Sequence, residues 1–194
     1  MVKTLPLWNS LPHEAMSGVS LDRRSRPVLW LAFCFPKLAL EVLQPNIYSR
    51  VAIVIEETHA ETVVHTASPP AEALGIHPGM PLTTAYTLYS GIEVHLLDKS
   101  ARQQRLEQLA AWAGRFSSRM SLHPPCSFML EAGSGIKYCG SLTAVQKKIT
   151  EGLSNEWKHL FYQAITPTAA ASLMLAESGH HYRYNTSPSP AFNS

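Results

Sequence analysis

Apolar residues along this chain follow two periods. Short apolar runs bounded by Pro, Gly or polar clusters alternate with stretches in which apolar positions return every third or fourth residue. The first pattern marks buried strands and the second amphipathic helices. Val28 to Phe33 reads as a buried strand, and Pro36 suits the first turn of a helix running to about Leu43. Val51 to Ile55 and Glu61 to Thr66 read as strands of a hairpin, joined by the polar turn Glu56-Glu57-Thr58-His59-Ala60. Pro69 to Leu74 starts a short helix ended by Gly75, Leu82 to Tyr89 gives another, and Val94 to Leu97 is a further strand. The clearest helix runs from Ser100, its expected N-cap, to Phe116, with Leu106, Leu109, Ala110, Ala113 and Phe116 along one face. Beyond it the pattern predicts a strand over Phe128 to Ala132, a turn at Gly133-Ser134-Gly135 and a helix over Leu142 to Leu153. A strand over Leu160 to Ile165 and a helix over Thr168 to Glu177 follow. This alternation, without internal repeats, predicts an α+β or α/β layered fold. Residues 1–27 lack sustained periodicity and read as a loosely ordered extension, and residues 179–194, rich in Ser, Pro and Asn, as a flexible tail.

Composition narrows the class. At 194 residues, 45% apolar and 15% charged, the chain can bury a real core and is not disordered in character. A formal charge of +2 does not by itself argue for nucleic acid, and the densest basic cluster, Arg23-Arg24-Ser25-Arg26, reads as a solvated linker face. Three cysteines without a Cys-x-x-Cys pair do not suggest a disulfide framework. The polar and Pro positions among the first twenty residues interrupt any signal-peptide core, and no apolar run reaches the ~20 residues of a membrane span. The expectation is a cytoplasmic protein.

Several residue groups invite a chemical reading. Gln108-Leu109-Ala110-Ala111-Trp112 has the shape of a clamp-binding peptide, but Leu109 and Trp112 stand at core spacing in the strongest helix, so it reads as packing. His180-His181, with His159 nearby in sequence, has no carboxylate or cysteine at ligand spacing to complete a metal site, and the pair reads as flexible surface. Glu56-Glu57 reads as a solvated pair in a turn, and Cys34, without an evident His partner, as an inert buried thiol. Arg102, Arg105, Arg115, Arg119, Lys147 and Lys148 are weak candidates for phosphate contacts.

Four segments, in order, carry a resemblance. They are Leu29-Trp30-Leu31-Ala32-Phe33-Cys34-Phe35-Pro36-Lys37-Leu38-Ala39-Leu40-Glu41; Ser68-Pro69-Pro70-Ala71-Glu72-Ala73-Leu74-Gly75-Ile76-His77-Pro78-Gly79-Met80; Ser121-Leu122-His123-Pro124-Pro125 with Leu130-Glu131 and Gly133-Ser134; and Ala164-Ile165-Thr166-Pro167-Thr168-Ala169-Ala170-Ala171. Together they resemble the Y-family (UmuC-like) DNA polymerases. In that family the first strand carries Asp-x-Asp before two aromatics and Ala-x-x-Glu, and the fingers carry Ser-Tyr-Glu-Ala-Arg-x-Phe-Gly-(Ile/Val)-x-x-Gly-Met. Ser-Ile-Asp-Glu and Gly-Ile-Ala-x-Asn-Lys-x-Leu follow. The resemblance implies an α+β palm-like mixed or antiparallel sheet backed by helices, with the palm over residues 28–50 and 92–178 and a small fingers insertion over 51–91.

The departures fall on the family's chemistry. By the resemblance, Ala32, Cys34, His123 and Pro124 stand at the four metal-binding acidic positions. Lys37 stands at the steric gate under the sugar, Pro69 and Glu72 at the Tyr and Arg that hold the triphosphate, and Ala169 at the Lys that reaches it. Glu131 is the acid expected near the old centre, where a lone carboxylate makes at best a weak Mg²⁺ site. The pattern implies a non-catalytic protein with no cofactor, and it is similar to the ImuB-type mutasome accessory proteins, whose opening runs Leu-Ala-x-x-Phe-Pro-(Arg/Lys)-Leu-x-x-Glu. The implied role is a hub in damage tolerance that binds an error-prone replicative-type polymerase and a RecA-like partner. Sliding-clamp binding is in doubt, because the chain ends where the thumb would begin. Weak, salt-sensitive DNA binding is expected. The alternatives are a minimal polymerase using relocated acids such as Glu131, and a truncated remnant.

Overall fold

A computed structural model describes residues 28–44, 47–179 and 182–183. The expected extension over residues 1–27, the basic cluster at Arg23 to Arg26 and His180-His181 lie outside these residues.

Two sheets organise the chain. The first has the order β5-β6-β1-β7-β8, built from β1 (Trp30–Cys34), β5 (Met120–His123), β6 (Ser127–Glu131), β7 (Tyr162–Thr166) and β8 (Tyr182–Arg183). β1 lies antiparallel to both β6 and β7, so Leu31 stands between Leu130 and Ile165, and Phe33 between Phe128 and Gln163. The second has the order β3-β2-β4, from β2 (Ala52–Glu57), β3 (Thr62–Ala67) and β4 (Glu93–Leu96). The first sheet with its helices is the expected palm-like α+β arrangement, and the segments around Phe33, Phe128 and Ile165 share it.

Strand alternation gives the first sheet two different faces. Leu31, Phe33, Phe128, Leu130 and Ile165 point to one side, against Leu106 and Leu109 of α4 (Lys99–Ala113) and Val145 and Ile149 of α6 (Leu142–Glu151). Phe33, Phe35, Phe128 and Phe161 form an aromatic knot there, with Phe33 and Phe128 ring centroids 5.3 Å apart. Trp112 packs on Phe116 and Trp157, so the clamp-like Gln-Leu-Ala-Ala-Trp stretch is core packing. The other face, at Ala32, Cys34 and Ala164, lies under Leu175 and Ala176 of α7 (Ala169–Glu177).

The structure corrects several expectations. α4 begins two residues early, because the Asp98 carboxylate, not Ser100, accepts from Ala101 N at 2.8 Å. Gly133-Ser134-Gly135 is not a turn but the first turn of α5 (Ala132–Cys139), capped by Glu131 through Gly133 N. Gly135 serves close packing, since a Cβ there would stand 2.5 Å from the carbonyl oxygen of Phe116. β4, expected in the palm segment from residue 92, pairs in parallel with β2 in the second sheet. Glu56 and Glu57 end β2 and are not in the connecting turn. The edge strand β5 and the two-residue strand β8, within the expected tail, were not visible as periodic segments.

Candidate functional site

The site is built at the carboxyl end of β1, where β1 runs into the turn at Pro36-Lys37 and α1 (Leu38–Glu41), and where the β5–β6 hairpin turns over residues 124–126. The ladder sets Cys34 opposite Ser127, and His123 opposite Ser127 on the other side, so the three share a face of the sheet. Phe35 N donates to Cys126 O at 2.8 Å and holds the hairpin turn against the central strand.

Two of the four residues that the resemblance sets at acidic positions, Ala32 and Cys34, lie in the core. Ala32 is 0% and Cys34 4% exposed, and both sit with Ala164 and Ala176 under α7, flanked by Cys126, Met129 and Leu175. His123 Nε2 and Ser127 Oγ are buried without a hydrogen-bond partner among the described residues. Hard divalent cations are held by oxygen, chiefly carboxylate, and Ala32, Cys34, His123 and Pro124 offer no carboxylate. These residues do not fit the cation pair of the resembling polymerases. Among the described residues no group of three or more His, Cys, Asp or Glu side chains converges to hold a metal ion.

In place of acids the site holds a thiol pair. Cys34 Sγ and Cys126 Sγ are 3.8 Å apart. The Cys34 thiol beside it draws Cys126 down to about 7, against the opposing effect of burial. Cys34 itself is driven far up, by its bond to Cys126 and then by burial. Cys34 thus has a partner that was sought among histidines and found in a cysteine from a distant segment.

Lys37 and Glu72, which the resemblance sets at the sugar and triphosphate positions, are brought together. The Lys37 ammonium pairs with the Glu72 carboxylate and donates to Ala67 O at 2.8 Å. α2 (Pro69–Ala73) delivers Glu72 to this pair. It is capped by Ser68, whose hydroxyl accepts from Ala71 N while donating to Arg50 O. An ion pair therefore joins the turn after β1 to α2, beside the second sheet. Pro69 is exposed at the first turn of α2, and Ala169 is the first residue of α7 and offers no charge.

Glu131 pairs with Trp30 on the face that carries Ala32 and Cys34, two residues (about 7 Å at ~3.3 Å per residue) from the Ala32–Met129 pair and four (about 13 Å) from the Cys34–Ser127 pair. Its carboxylate is used as the cap of α5. The acid nearest in effect to the thiols is Glu177 at the end of α7, which sequence spacing did not single out.

The basic candidates lie mostly in the helical layer on the opposite face, and most are engaged. Arg102 reaches His65 Nε2 at 3.1 Å, and Arg105 reaches His159 Nε2 at 3.5 Å beside the Trp157 ring. Arg115 bonds Trp112 O and lies over its ring, Lys147 pairs with Glu151, and Lys148 lies over Tyr138. Arg119 is exposed just before β5. Glu56 is held below the usual carboxylate range by Lys99.

One polar cluster was missed. Glu41 and His159, both 3% exposed, pair at 2.7 Å, and Glu41 also accepts from Leu160 N at 2.7 Å and from the Tyr48 hydroxyl. His159 is therefore a structural partner of α1. Beside the cluster a cavity of about 530 Å³ is lined by residues including Tyr48, Arg105 and Lys158.

The model of the impB/mucB/samB family matches residues 33–176. Among solved structures, the post-insertion binary complex of Dbh DNA polymerase superposes with a TM-score of 0.71 at 15% identity, covering 82% of this chain and 48% of that one. Its insertion ternary complex gives 0.68 at 14% identity, covering 81% and 49%. DinB from Sulfolobus solfataricus gives 0.65 at 16%, covering 80% and 48%. The chain therefore spans about half the length of the structures it matches, and the likeness concerns the fold. Among curated proteins no sequence matches it.

Proposed function

Because the chain belongs to the impB/mucB/samB family and carries a Y-family palm-like fold, we propose that it acts in DNA damage tolerance as a non-catalytic partner of translesion synthesis. The observation that carries this reading is the content of the site. Ala32 and Cys34 are packed under α7 where two cations would need carboxylates, and Lys37 and Glu72 neutralise each other where a nucleotide would be held. Phosphoryl transfer depends on metal-borne charge stabilisation and on positioning of the triphosphate, and this site supplies neither. Against relocated acids stands the engagement of Glu131, whose carboxylate accepts from Gly133 N as the cap of α5.

Its work in this reading is recruitment: contact with an error-prone replicative-type polymerase and a RecA-like protein through the palm-like or second-sheet surface. DNA affinity is weak and falls steeply with salt, because a net charge of +2 and largely engaged basic side chains neutralise few phosphates. No helix among the described residues is long and apolar enough to cross a membrane.

The test is primer extension by the purified chain on undamaged and lesion-bearing templates with Mg²⁺ and with Mn²⁺. No incorporation is expected. Template-directed incorporation that survives further purification refutes the non-catalytic reading. Deleting the gene should lower damage-induced mutagenesis. An unchanged mutation frequency favours an inert remnant.

A further inference from the structure

We propose that Cys34 and Cys126 are a reversible oxidation site, closed to a disulfide by a hydroperoxide, at the end of the central strand. The two residues are 92 apart in sequence, yet their sulfurs stand 3.8 Å from each other. Cys34 ends β1 opposite Ser127, and Cys126 lies one residue before Ser127, in the turn that Phe35 N ties to the strand. A ladder spacing of ~5 Å and a rise of ~3.3 Å place the two Cα atoms roughly 6 Å apart. That is inside the range a disulfide spans without backbone movement. Cys126 belongs to the turn, outside the ladder, so its side chain can rotate onto Cys34. It is half-buried, whereas Cys34 is closed off under α7.

The environment divides the labour. Cys126, half-buried and lowered by the Cys34 thiol beside it, is the accessible thiolate that attacks; Cys34, closed off under α7, is the one that resolves, and it gives up its proton once oxidation of Cys126 removes the bond that held it. In the first step the Cys126 thiolate attacks a peroxide oxygen. The S–O bond forms, the O–O bond breaks, and the leaving alkoxide or hydroxide takes up a proton, which balances the one lost when the thiol ionised. In the second step Cys34 sulfur attacks the sulfenic sulfur. The S–S bond forms, the S–O bond breaks, and the Cys34 proton leaves with that oxygen as water. The peroxide is reduced by two electrons and the thiol pair is oxidised by two. Any dithiol reductant reverses the change.

The resulting loop would enclose the whole second sheet and α4, which lie between residues 34 and 126. Cys139, half-buried at the end of α5, serves as an internal control.

The experiment exposes the full reduced chain to stoichiometric hydrogen peroxide, alkylates it and measures the intact mass and the proteolytic peptides. The expected product has lost two hydrogens, accepts alkylation at Cys139 alone, yields a crosslinked Cys34–Cys126 peptide pair and returns to three alkylatable thiols with dithiothreitol. Its thermal midpoint without reductant should rise above that of the reduced chain. Cys139→Ser should behave in the same way. Cys126→Ser should form no crosslink and keep Cys34 alkylatable after unfolding, with circular dichroism confirming its fold. The proposal is overturned by three intact thiols after peroxide, by addition of two oxygens to Cys126 with Cys34 free, or by a crosslink through Cys139. None of these outcomes depends on whether the protein acts in damage tolerance.

Discussion

Restoring one lost acid should damage the fold, not rescue chemistry. Ala32→Asp places a carboxyl at a fully buried position among Ala164, Ala176, Cys34, Met129 and Leu175. A neutral, unpaired polar group costs about 1–3 kcal/mol there, and forcing extra atoms beneath α7 costs about 1–3 kcal/mol more. The total, roughly 2–6 kcal/mol, is a large part of the ~5–15 kcal/mol a domain possesses. With a urea m-value of about 2 kcal/mol/M, a 4 kcal/mol loss moves the midpoint by about 2 M. Burial also raises the new carboxyl's folded pKa above its unfolded ~3.9. Between those two values the folded state binds more protons, so the deficit must grow as pH rises from 4.5 to 7.5. Urea titrations of parent, Ala32→Asp and Ala32→Ser at both pH values measure it, with the Ser variant separating polarity from charge. An unchanged midpoint, or recovery by Mg²⁺ or Mn²⁺, would show that a latent cation site persists and would refute the reasoning.

Four further outcomes follow from the same geometry. Glu41→Ala leaves His159, the Tyr48 hydroxyl and Leu160 N without their acceptor, and should cost about 3–5 kcal/mol in urea unfolding, as for other broken buried pairs. The partly exposed Lys37–Glu72 pair is worth less: a double-mutant cycle with Lys37→Met and Glu72→Gln should give a coupling below ~1 kcal/mol. Gly152→Ala sets a Cβ 2.1 Å from the Trp112 ring and should lose about 1–3 kcal/mol with a change in tryptophan emission. His65 is held below its ordinary value by burial and then by Arg102, against the pull of Glu56. The unfolded chain therefore binds more protons near pH 6, stability falls on acidification from pH 7 to 5, and His65→Gln should flatten that part of the profile.

Elements with a clear period were legible in the sequence, and those defined by a distant partner were not. The aromatic-rich β1 and the three-four spacing of Leu106, Leu109, Ala110 and Ala113 announce a buried strand and a helix directly. β5 is four residues ahead of two prolines, and it becomes a strand through its pairing with β6. β4 took its place from β2, a contact no local pattern encodes. Asp98 outcompeted Ser100 as the cap because its carboxylate reaches Ala101 N, which places the start of α4 at Lys99. At the site, the loss of carboxylates was readable by residue type. The joining of Lys37 to Glu72 and of Cys34 to Cys126 was not, since each pair spans segments that only the folded topology brings together.

The retained and lost motif residues divide along a physical line. Glu41 ties α1 to the segment before β7 through two hydrogen bonds, from His159 and Leu160 N, and accepts a third from Tyr48. Ser68 caps α2 and bridges to Arg50 and Ala52. Gly75 and Gly79 adopt φ near +86° and +85°, which only glycine takes without strain, and Met80 O accepts from Val64 N. Each of these has a structural task that remains whether or not a nucleotide ever binds. Ala32, Cys34, Lys37, Pro69, Glu72, His123, Pro124 and Ala169 stand where the resembling polymerases meet metal or nucleotide, and their new side chains pack, pair with each other or face solvent. Under the proposed non-catalytic role the two groups separate for a physical reason: the first holds the fold together, and the second is free to vary because no metal or nucleotide has to be held.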